Sequence, residues 1–195
     1  MISPLNNVKL VVLSLGFLIM TGILHEVVAQ NALNLSLDEG ESRLRLQGGS
    51  LQLVAGGEEE IVIAEVSLLK GQSEVRVQGD EKNNLLVVEA SILKEELNVI
   101  YDGGAETGGR GDALAVEGSG SDSAVYTPDP EIEGAGVIVA ANSTIHFSGL
   151  EPVSISGMGT ATLTLPGDND SLLVEHEVVG RIPRARPAIK VSGTT

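Results

Sequence analysis

The sequence has no cysteine and no tryptophan. The first absence excludes disulfides, thiolate metal centres and an acylated lipoprotein cysteine. It also points to a bacterial exported protein, since small secreted eukaryotic domains lean on disulfides. Other aromatics are nearly missing too: Tyr101, Tyr126, Phe17 and Phe147 are the whole set. Aromatic rings fill the wide interiors of sandwiches and ligand pockets. Without them, the core is expected to be a thin one of stacked Leu, Val, Ile and Ala layers.

Positive charge is also scarce, with 12 Lys and Arg against 27 Asp and Glu and a net charge of −15. Such a body repels phosphate backbones, which argues against nucleic acid as a partner. It attracts divalent cations, and it serves solubility whether or not an ion binds. The charge is unevenly placed. Apart from Glu26, every acid falls between residues 30 and 180, whereas Arg181, Arg184, Arg186 and Lys190 occupy a C-terminal stretch with no acid.

Residues 1–29 read as a signal peptide. Lys9 and the free amine supply the positive start, and Leu10 to Leu24 form an apolar run. That run is short of the about twenty residues needed to cross a bilayer. Val27 and Ala29 suit cleavage before Gln30. An uncleaved anchor is the alternative. No other stretch is apolar enough to span, so the expected mature chain is secreted or held at the cell surface, with no membrane span after cleavage.

The chain that follows is rich in glycine, 24 residues in all, and in short apolar runs spaced by about 8 to 16 residues. The runs are 33–37, 43–47, 51–54, 61–66, 74–78, 85–89, 97–101, 113–117, 124–127, 136–140, 144–148, 153–156, 160–165 and 171–175. Many alternate, as in Leu33-Asn34-Leu35-Ser36-Leu37, and alternation at period two turns one face inward. Turn formers separate them: Gly48-Gly49, Gly56-Gly57, Gly79-Asp80, Gly103-Gly104 and Gly118-Ser119-Gly120. Helix-forming residues in 58–69 are overruled by Ile61, Val62, Ile63 and Val66, which are β-branched. Residues 92–97 have room for one helical turn at most, and both segments are read as mainly non-helical.

The fold class expected is all-β: a β-solenoid resembling a parallel β-helix, or one or two antiparallel β-sandwiches. Aliphatic layers and glycine corners favour the solenoid. At about twenty to twenty-five residues per coil it would have about seven coils. The division expected is 1–29 signal peptide, 30–180 strand repeats and 181–195 a basic, proline-containing tail or linker, with continuation as part of a larger protein open.

From Tyr101 to Leu172 the chain resembles a stretch that recurs in very large secreted proteins of planctomycete-type bacteria. The residues that carry this are YDGG (101–104), GGRGDALAVEG (108–118), VYTPD (125–129), GVIV (136–139), TIHFSGLEPVSISG (144–157) and TLTLPGDND (162–170). The resemblance implies an extracellular structural or adhesive role, with cell-surface or matrix components as partners and no catalytic residues.

Candidate chemistry is thin. Hard oxygen ligands in tight turns make calcium sites, and Asp102, Asp112, Asp168 and Asp170 are the candidate ligands. GGRGDALAV (108–116) is close to a calcium-binding β-helix repeat but is one residue short and occurs once. The bland reading is Asp and Asn as turn formers. Arg110-Gly111-Asp112 spells an integrin tripeptide of the kind that arises by chance. His146 lies between Ile145 and Phe147 on a strand and should point to solvent, and His176 lies between Glu175 and Glu177. No histidine pair has metal spacing, and no Ser or Asp stands in a nucleophile elbow. Asn34, Asn142 and Asn169 lie in sequons that matter only in a eukaryotic secretory route. Paired carboxylates leave open the alternative of a carbohydrate-active β-helix enzyme or sugar-binding module, although such proteins grip sugars with aromatics and bases that are scarce here. The favoured reading is an exported, non-catalytic structural or adhesive surface module with calcium as a candidate stabiliser and no other cofactor.

Overall fold

The computed structural model describes residues 32–37, 40–56, 60–68, 73–104, 111–165, 171–179 and 186–194. Each apolar run named above lies in a strand: β1 (Ala32–Ser36), β2 (Gly40–Gln47), β3 (Ser50–Ala55), β4 (Ile61–Ser67), β5 (Glu74–Gln78), β6 (Asn84–Val88), β7 (Asn98–Asp102), β8 (Asp112–Glu117), β9 (Ser123–Pro128), β10 (Gly136–Ala140), β11 (Ser143–Ser148), β12 (Leu150–Ser156), β13 (Thr160–Leu163) and β14 (Ser171–Val179). A further strand, β15 (Arg186–Thr194), falls within the basic segment, and one helical turn, α1 (Ala90–Leu93), follows β6. This turn overlaps the start of 92–97, a segment read as mainly non-helical with room for one turn at most, and begins two residues before it.

The protein is all-β, with two mixed sheets. The first has the order β1-β5-β7-β11-β10-β9-β13, the second β12-β8-β6-β2-β3-β4, and β14 pairs with β15 in a separate two-stranded sheet. Within the first sheet β1, β5, β7 and β11 are parallel neighbours, and within the second β2, β6, β8 and β12 are. The chain visits these two series in step: β1 then β2, β5 then β6, β7 then β8, β11 then β12. The seven coils expected from chain length are therefore not what the pairing gives. Each series has four members, because two excursions use chain without lengthening either series. One is β3–β4, which pairs antiparallel beyond β2. The other is β9–β10, which pairs antiparallel beyond β11.

Local chemistry explains both excursions. Gly48 and Gly49 lie at φ 62° and 83°, the left-handed pair that a tight two-residue hairpin turn needs. Between β10 and β11 the turn residues are Ala141 and Asn142, and Ala141 sits at φ 49° without being glycine.

Period-two alternation puts matching residues of successive strands into ladders. In the first sheet Leu33, Val75, Val99 and Ile145 form one inward ladder, and Leu35, Val77, Tyr101 and Phe147 the next. In the second sheet Ser42, Leu86, Leu114 and Val153 align, as do Leu44, Val88, Val116 and Ile155. Most are buried, and fully burying each such aliphatic side chain contributes about 1.5–3 kcal/mol. The core is aliphatic as expected, with one exception: Tyr101, Phe147 and Tyr126 gather together. Tyr101 and Phe147 are register partners, and the Tyr126 and Phe147 rings lie 5.9 Å apart at 50°. Among the described residues no helix is long and apolar enough to cross a membrane.

Candidate functional site: a carboxylate corner

Where the chain turns from the first sheet into the second, glycines stack. Gly79 follows β5, Gly103 follows β7 and Gly149 follows β11. Backbone hydrogen bonds tie these turns together: Gly79 N donates to Asp102 O (2.8 Å), Gly103 N to Ser148 O (3.0 Å) and, on the side of β1, Leu37 N to Gln78 O (2.9 Å). At Gly103 a Cβ would stand 2.6 Å from Gly149 O and 2.8 Å from Asp112 Oδ2. The turns stack this closely because no side chain separates them.

Across the corner, the first residues of β6 and β8 are Asn84 and Asp112. They occupy equivalent register positions, and both are buried. Asp112 is only 1% exposed, and its Oδ1 accepts a hydrogen bond from Asn84 N at 2.6 Å. Asn84 Oδ1 in turn accepts from Asp80 N at 2.9 Å. Asp80 Oδ1 accepts from Lys82 N, and Asp102 Oδ1 accepts from Gly104 N, so these two exposed-side carboxylates shape their own turns. Beside them lies Tyr101, with no exposed surface and a hydroxyl that has no hydrogen-bond partner. Burial first, and then the charges of Asp112, Asp102 and Asp80, hold that hydroxyl well above the usual tyrosine range.

Of the candidate calcium ligands, then, Asp112 is buried at the start of β8 and Asp102 is exposed at the end of β7. Asp168 and Asp170 lie outside the described residues, as do Glu106 and Arg110. Among the described residues no group of three or more acidic or histidine side chains stands in metal-holding geometry. The side chain of His146 is exposed on β11 while Ile145 and Phe147 are buried, in keeping with the alternation. The side chain of His176 lies outside what is described.

A second charged constellation was not legible in the sequence. Arg43 on β2 reaches Glu41 at 3.0 Å, Glu89 after β6 at 3.3 Å and Glu117 on β8 at 3.2 Å. Desolvation opposes its charge, but Glu117, Glu89 and Glu41 outweigh that and hold the guanidinium above its ordinary value. The two distant acids lie 46 and 74 residues along the chain, and only the parallel stacking of β2, β6 and β8 brings them together. At 25% side-chain exposure, Arg43 spans three strands on an outer face, so its role is to tie them.

No protein-family model, no curated protein and no solved structure matches the chain.

Proposed function

We propose that this chain is an exported, non-catalytic structural or adhesive module of a cell surface or matrix, folded as a short solenoid of four tiers with two hairpin insertions. The observation that carries this reading is the use made of the interior polar groups. Asp112 and Asn84 each accept from a backbone amide at the corner, Asn84 N and Asp80 N, an arrangement that suits the stacking of tiers. The resemblance of residues 101–172 to repeats of large secreted surface proteins points the same way, and those residues take in β8 to β13 whole.

The export half is tested by fractionating a bacterial host that expresses the full chain: an extracytoplasmic product beginning at Gln30 is expected, and cytoplasmic retention overturns it. The non-catalytic half is tested on acidic polysaccharides. Release of reducing ends that disappears in Asp102→Asn or Asp112→Asn would replace this reading with the carbohydrate-active one. Calcium at about 5 mM exceeds the dissociation constants of extracellular sites, so a bound ion raises the melting temperature. An unmoved melt removes the ion and leaves the scaffold.

A further inference from the structure

Strand β4 is the last strand of the second sheet, and its outer edge has no strand partner among the described residues. It also carries Ile61 at 57% and Val62 at 45% exposure, adjacent on one strand. An apolar edge of this kind is a template for another strand and is ordinarily blunted by lysine, proline or a covering loop. Here there is no lysine or proline; the pairing with β3 is interrupted by a bulge at Ile63, and Glu65 is the one exposed charge within the strand. The sequence from 57 to 69 has Glu58, Glu59, Glu60 and Glu65 and no base. Glu60 already meets Arg45 at 2.7 Å, so an incoming cation would answer to its acidic neighbours.

Strand β15 offers the complement. It pairs only with β14, so its other edge also has no strand partner among the described residues. It contains Arg186 and Lys190, it is preceded by Arg181 and Arg184, and no acid follows residue 180. Two chains of net charge −15 repel over most of their surfaces. The contact that escapes this repulsion sets the basic segment of one against the acidic strand of the other.

We propose that β4 is a docking edge for β15 of a second copy of this chain, so that copies join head to tail by strand addition. Backbone hydrogen bonds supply the attachment and the charge pattern supplies the choice of partner. The contact is heterologous, so it propagates and gives open chains of molecules rather than a closed dimer.

The test is sedimentation velocity of the full chain as its host processes it, at rising concentration. The wild type is expected to form dimers and longer species, and to fall back to monomer near 1 M salt, where charges are screened beyond about 3 Å. Two variants divide the contact. Ile61→Lys with Val62→Lys disables the edge, and Arg186→Glu with Lys190→Glu disables the strand. Each alone should self-associate at least tenfold more weakly with an unchanged circular dichroism spectrum. Mixed together, they retain one working contact and should form a dimer that grows no further. A wild type that stays monomeric at ~100 μM, a variant that associates as the wild type does, or a mixture that stays monomeric overturns the proposal. The ~100 μM ceiling corresponds to the weak end of specific association.

Discussion

The middle of the second sheet and its edges are built from the same kinds of residue and differ in how well those residues are covered. In the second sheet Leu44, Leu86 and Leu114 are buried completely or nearly so, because each lies on a strand paired on both sides. Val153 and Ile155 hold the equivalent ladder positions on β12, the edge strand, and are only half-buried. On the opposite edge Ile61 and Val62 are exposed. In the second sheet, these ladder residues are thus covered best on strands that are paired on both sides.

The largest effect should separate middle from end. Leu114→Ala is expected to cost about 2–5 kcal/mol, the range for a leucine emptied from a packed core. Val153→Ala at the same ladder position should cost clearly less, and equal losses in urea titration would break the contrast. The corner comes next. Asp112→Ala strands the buried Asn84 amide and should cost about 1–3 kcal/mol, while Asp112→Asn, which keeps an acceptor oxygen, should cost less.

Tyr101 gives a pH signature. Its hydroxyl is held above its ordinary value in the folded chain, while an unfolded tyrosine ionises near pH 10. Below that pH the contribution is constant. Above it the unfolded state loses its proton first, so stability falls as the pH rises. Tyr101→Phe should flatten part of that alkaline loss and, by removing an unpartnered buried hydroxyl, leave stability at neutral pH unchanged or slightly higher. A steeper alkaline loss in the variant would contradict the placement of that hydroxyl. The smallest change lies in the β10–β11 hairpin. Ala141→Gly relieves a left-handed alanine and should gain up to about 1 kcal/mol in thermal melts.

Much of the strand content was legible because branched aliphatics at period two leave few other conformations. Leu33-Asn34-Leu35-Ser36-Leu37 and Ile145-His146-Phe147 each declare which side faces inward. Strand β15 was missed because the basic, proline-containing stretch with Pro187 reads as a linker, whereas near the end of a two-stranded ribbon a proline can sit where no ladder bond is required. Partner choice was not legible at all. Alternation says which face Arg43 occupies but not that Glu117 will lie beside it, since that depends on how many residues the intervening excursions consume. The burial of Asp112 was not legible for a related reason: it follows a glycine-rich stretch, and its burial comes with its hydrogen bond to Asn84 on the neighbouring strand, which no local pattern encodes.

Ser143 carries a consequence for biosynthesis. Its hydroxyl lies 3.0 Å from Ile92 O and 2.6 Å from Glu95 O, and it accepts from Leu97 N. It sits 51 residues downstream of Ile92. On a ribosome, the short bend around α1 emerges well before the side chain that fastens it, and those peptide groups stay with water until β11 arrives. A nascent polypeptide halted before residue 143 should therefore leave that bend open to proteases.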